Sequence, residues 1–158
     1  MHKFQFPAFT LVLVLLCWTS NAYSQSTKTK HFNTKRGNIA IKGYDPVSYF
    51  TEGKAVKGNA QITHNYGGIV YRFKNNQNRN IFRQNPAKYE PMYGGWCAYA
   101  FGLAKPSKVD INPRTFKIIG GRLYLFYNKL GTNTLKMWNK DERNLKSKAD
   151  KNWQKIYK

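Results

Sequence analysis

Gln61-Ile-Thr-His-Asn-Tyr-Gly-Gly-Ile-Val-Tyr-Arg-Phe73 decides the fold. Two glycines between β-prone runs spell a two-residue hairpin turn, because both central positions of such a turn need positive φ. Ile69, Tyr71 and Phe73 fall on one face of the second strand, with Val70 and Arg72 on the other. The pattern returns at Phe116-Lys-Ile-Ile-Gly-Gly-Arg-Leu-Tyr-Leu-Phe-Tyr127. There Leu123, Leu125 and Tyr127 alternate with Tyr124 and Phe126, so both faces are apolar and the strand is expected to be covered on both sides.

Short helices are expected around these hairpins. Asp45-Pro46, Asn85-Pro86 and Asn112-Pro113 each pair a capping acceptor with a proline whose missing N–H costs nothing at a helix start. Asn75 to Gln84 reads as a helix with Ile81 and Phe82 as its buried stripe, whereas Thr51 to Asn59 and Leu103 to Asp110 read as loops. From Thr134 onward, Trp138, Leu145, Ala149, Trp153 and Ile156 form one apolar stripe at helical spacing, which predicts a docked C-terminal amphipathic helix. The expected architecture is a small single α+β domain. Two β-hairpins form a short antiparallel sheet, joined by short helices and the C-terminal helix.

Composition narrows the class. Hydrophobic residues are 41% and aromatics 16% of the 158 residues, which suits one packed, aromatic-rich core. Lys and Arg number 27 against 7 Asp and Glu, a net charge of +20 that attracts polyanions with little selectivity. His2 and Lys3 precede an apolar run from Phe9 to Trp18 of about ten residues, against the ~20 a spanning helix needs. Ala22-Tyr23-Ser24 places small residues where a signal peptidase reads, so residues 1–24 are expected to be a leader cleaved between Ser24 and Gln25.

Cleavage would export the protein to the periplasm or medium, remove Lys3 and so lower the net charge to +19, and remove Cys17. Cys97 is then a lone thiol that cannot form an internal disulfide. Residues 25–38 are Ser/Thr/Lys-rich and read as a flexible linker before a domain over 39–158. An exported basic chain meets anionic polymers and lipid before nucleic acid, which argues against a nucleic-acid partner. A monomer is expected.

A third stretch holds the most distinctive residues: Asn85-Pro-Ala-Lys-Tyr-Glu-Pro-Met-Tyr-Gly-Gly-Trp-Cys-Ala-Tyr-Ala100. Its Tyr93-Gly-Gly-Trp-Cys-Ala-Tyr-Ala100 part, with Gly43-Tyr-Asp-Pro-Val-Ser-Tyr-Phe50, Tyr71-Arg-Phe73, Phe82-Arg-Gln-Asn-Pro-Ala-Lys-Tyr89 and Gly121-Arg-Leu-Tyr-Leu-Phe-Tyr127, resembles the YHS-domain family in its exported form. The resemblance implies a small α+β fold related to metal-binding treble-clef-like modules. It also puts Ser48, Lys74 and Asn78 where metal-binding relatives carry cysteines, so the family's structural-metal chemistry does not transfer to those positions.

The site candidates follow. Cys97, beside Gly94-Gly95 and among aromatics, could ligate copper, zinc or haem iron with His64 or Met92 as partner and Tyr93 and Trp96 as pocket walls. It could equally be a small buried hydrophobe, and His64 a residue that satisfies a strand hydrogen bond. Lys140, Arg143, Lys146, Lys148, Lys151 and Lys155 form a basic surface that either is simply solvated or docks an anionic polymer or membrane surface. Glu90 and Asp110 are isolated carboxylates, and no pair has a spacing suited to acid–base catalysis. The chain is therefore expected to be a non-enzymatic binding module. Its ligand is either a metal ion or metal-containing group near Cys97, or an anionic partner on the basic surface.

Overall fold

Both Gly-Gly pairs turn hairpins in the computed structural model, which describes residues 28–157. The expected leader, with Cys17, lies outside these residues. Strands β3 (Asn59–Tyr66) and β4 (Ile69–Phe73) meet with Tyr66 opposite Ile69 and His64 opposite Tyr71. Gly67 and Gly68 take φ of 59° and 80° in the turn between them. Ile69, Tyr71 and Phe73 are fully buried while Val70 and Arg72 are half-buried, the alternation expected of this strand. Two short strands, β1 (Thr34–Lys35) and β2 (Ile39–Ala40), extend this sheet on the far side of β4 in the order β1-β2-β4-β3. β2 runs parallel to β4.

The second hairpin forms its own sheet from β5 (Asn112–Ile119) and β6 (Arg122–Phe126). β6 is covered on both faces. Leu123 and Leu125 pack with Tyr71, Phe73 and Phe82 on one side, and Tyr124 and Phe126 pack with Phe101 and Trp138 on the other. Its free edge is bridged in parallel by Pro91, opposite Leu123, and Cys97, opposite Leu125. The Asn85–Ala100 stretch thus reaches the centre of the fold by lying along β6. A third small hairpin pairs β7 (Asn128–Lys129) with β8 (Thr132–Asn133).

Two local expectations are corrected. Asn112-Pro113 opens a strand, not a helix. Asn112 Oδ1 does accept from the Arg114 amide at 3.0 Å. The residues that follow, however, bury more by pairing with β6, and Pro113 falls where the ladder shifts register and needs no donor there. The linker expected over 25–38 is also ordered from Lys28: residues 28–31 are helical and β1 follows. Phe32 meets the rings of Trp153 and Tyr157. The Asn33 amide donates to Gly94 O at 2.8 Å, and its side chain reaches Gly95 O and Asp110. These contacts offset the ordering entropy that the polar composition alone would not.

The helices are short and locally capped. Asp45 Oδ1 accepts from Val47 N at 2.8 Å just before α1 (Ser48–Thr51). Asn75 caps α2 (Asn76–Gln84) and Asn85 caps α3 (Pro86–Tyr89), each accepting from the amide three residues on. After α4 (Ala98–Phe101), Asn133 caps α5 (Thr134–Trp138), and α6 (Glu142–Ile156) closes the fold. The single helix expected from Thr134 onward is broken at residues 139–141, where Asp141 begins a second helix. Trp138 on α5 and Leu145 and Ala149 on α6 are buried, and Trp153 and Ile156 are half-buried. Gly102 permits the approach, since a Cβ there would lie 2.8 Å from Leu145 O. Among the described residues, no helix is long and apolar enough to cross a membrane.

Candidate functional site

Cys97 sits at the centre of the protein, fully buried. Its Sγ lies 3.3 Å from Thr134 Oγ1 and accepts from the Tyr127 amide at 3.4 Å. His64 lies on β3, with its ring edge-on to Phe82, and is not among the hydrogen-bond partners of the sulfur. Burial, then the charges of Arg83 and Arg79, lower its pKa, so the imidazole is neutral at pH 7. Met92 belongs to the opposite core cluster from the sulfur. The sulfur's hydrogen-bond partners are thus Thr134 and Tyr127, and among the described residues no group of three or more His, Cys, Asp or Glu is arranged to hold a metal. Trp96 and Tyr93 serve other ends. Trp96 Nε1 donates to His31 O at 2.7 Å, and the Tyr93 hydroxyl donates to Asp150 Oδ1 at 2.9 Å.

The positions at which the resemblance implies cysteines do converge. Ser48, the Lys74 amide and Asn78 surround Asp45, which is fully buried. Asp45 Oδ2 accepts from Lys74 N and from Asn78 Nδ2, both at 2.8 Å, and Asn78 Nδ2 also lies 3.2 Å from Ser48 Oγ. The polar groups satisfy one another, so the cluster ties α1, β4 and α2 together by hydrogen bonds, and the Lys74–Glu52 ion pair at 2.7 Å adds to them.

A cleft lies away from the sulfur. It has a volume of about 560 Å³ and runs between the first hairpin turn, the Met92–Gly95 turn and the end of α6. Lys28, Tyr66, Glu90, Arg122, Trp153 and Tyr157 line it, and Met92 and Tyr93 form part of its floor. Tyr93 adopts φ of 53° and Gly94 φ of 58°, which bends this turn under the cleft. A Cβ on Gly94 would lie 2.9 Å from the Trp153 ring and 3.1 Å from Phe32 Cα, so glycine is what lets the arm and α6 close over it.

Charge in the cleft is unevenly satisfied. Lys28 Nζ pairs with Glu90 Oε1 at 2.6 Å, and the Tyr71 hydroxyl donates to the same oxygen at 2.6 Å. Arg122 has no carboxylate partner among the described residues, and its Nε is enclosed without a hydrogen bond. Burial first, then Glu90, pushes the Tyr71 phenol well up, and the same two effects raise Tyr157. Both rings therefore remain hydrogen-bond donors.

On the outer face of α6 and just before it, Lys140, Arg143, Lys148, Lys151 and Lys155 are exposed, whereas Lys146 pairs with Asp150 at 2.7 Å. Away from the cleft, Asp110 joins Asn33, Lys35 and Lys42. Burial pushes its carboxyl up, but hydrogen bonds from Asn33, Lys42 and the Ile111 amide outweigh this and hold it well below the usual range.

Sequence reasoning missed Lys28, Glu90, Arg122 and Tyr157. The only signal for Arg122 was its position beside Gly120-Gly121, since a residue flanking a tight turn stands at the rim of the sheet. No family model, curated protein or solved structure matches the chain.

Proposed function

We propose that this chain is an exported, non-enzymatic binding module of YHS-like architecture, and that it takes a small ligand bearing a carboxylate or phosphate in the cleft at Arg122. The observation that carries the reading is the state of that side chain. A guanidinium lining a cleft of about 560 Å³, without a carboxylate partner among the described residues, offers a planar donor fork to an anion. The rings of Tyr66, Trp153 and Tyr157 supply apolar wall for the rest of the ligand. The exposed cations of α6 and the net charge of +20 raise the local concentration of anions around it. A metal centre at Cys97 has no such support, because the sulfur is sealed and its neighbours are a hydroxyl and an amide.

Calorimetric titration with phenyl phosphate tests the reading. Saturable binding that weakens at least tenfold in Arg122→Gln is expected. Absent binding, or equal affinity in the variant, overturns it.

A further inference from the structure

Lys28 occupies one end of the cleft as a ligand would. Its Nζ lies 3.9 Å from the Tyr66 ring centroid and 5.2 Å from that of Phe32, as well as 2.6 Å from Glu90. Its stem crosses the first hairpin turn where Gly67 leaves room, and a Cβ there would lie 2.7 Å from Lys28 Cδ. A fixed carboxylate with aromatic faces around it is the chemistry that recognises an ammonium group. Tyr66, Tyr71 and Glu90 belong to the body of the domain and not to the arm that carries Lys28. The receiving half of the cage therefore remains when that side chain swings out.

The geometry points to an ammonium subsite formed by Glu90, Tyr66 and Tyr71, which Lys28 fills in the free protein and which a primary organic ammonium group takes from it. Tyr157 lines the same cleft and adds a further phenol ring beside Lys28, Tyr66 and Glu90. Taken with the Arg122 reading, on which this extension to the whole ligand rests, the preferred guest is zwitterionic. Its ammonium goes to Glu90 and its anion to Arg122. Lys28 then acts as an internal competitor, and its side chain must leave before such a guest can seat fully.

The test uses n-butylammonium, which has no anionic group and so reports on the ammonium subsite independently of Arg122. Calorimetry is expected to show saturable binding to the wild type and binding at least tenfold tighter to Lys28→Ala. Glu90→Gln in the Lys28→Ala background should weaken it at least tenfold. Should that variant fail to fold, Tyr66→Leu keeps the carboxylate and its Tyr71 partner and should weaken binding in the same direction. In the wild type, n-butylammonium should also shift the Lys28 side-chain (Cε–H) NMR resonance in a saturable way, as its ammonium leaves Glu90 and the Tyr66 ring. No saturable binding to the wild type, or binding that leaves the Lys28 side-chain resonance in place, overturns the inference. Phenyl phosphate binding that survives such a failure leaves the Arg122 reading standing, and loss of phenyl phosphate binding alone removes only that reading.

Discussion

The side-chain amide of Asn78 donates to Oδ2 of Asp45 across 2.8 Å, and both residues are buried. The Lys74 amide shares that oxygen, and the Val47 amide takes the other. Truncating Asn78 to Ala removes one donor and should cost about 1–3 kcal/mol, measured by urea unfolding. Asp45→Ala leaves two backbone N–H groups without their acceptor and should cost ~3 kcal/mol or more. A loss below ~0.5 kcal/mol in both would show that the network adds nothing to stability.

Cys97 should behave as an inert core residue. With the side chain fully buried, native-state reaction with an aromatic disulfide reagent should be at least about a hundredfold slower than reaction of the urea-unfolded chain. Cys97→Ala should lose about 1 kcal/mol by removing a small buried group and leave phenyl phosphate binding unchanged. Native labelling at the unfolded rate would mean the sulfur is reached from solvent.

Acid should loosen the attachment of the arm at Asp110. Its folded pKa lies below the ordinary value of 3.8, so the stability it contributes is fully present above that pH and is lost as pH falls through the folded value. The carboxylate is 44% exposed, so screening limits the effect to ~1 kcal/mol or less. Asp110→Asn should therefore lower Tm slightly at pH 7 and flatten the Tm profile below about pH 4. A variant whose acid limb matches the wild type would assign that limb to other carboxylates.

Local signals made much of this fold legible. Gly67-Gly68 and Gly120-Gly121 marked turns that only positive φ can make, and the alternation after each gave the buried face. The two apolar faces of β6 anticipated its place between two core clusters. What escaped depends on partners distant in sequence. Asn33 finds Gly95 and Asp110 at separations of 62 and 77 residues, so its Ser/Thr/Lys-rich surroundings resembled a linker. Asn112-Pro113 carried a genuine capping signal that pairing with β6 overrode. Glu90 looked isolated because Lys28 and Tyr71 meet it only in the fold. Gly94-Gly95 beside Cys97 suggested a pocket at the sulfur. The bend instead opens the cleft on its other side, above Met92 and Tyr93.

Where a ligand lands separates the cleft from the sulfur most directly. In a two-dimensional NMR titration with phenyl phosphate, the Trp153 indole and the Arg122 Nε–H resonances should shift in a saturable way. The amides of Thr134 and Tyr127, which border Cys97, should stay in place. Shifts confined to Thr134 and Tyr127, or none anywhere, would contradict binding in the cleft.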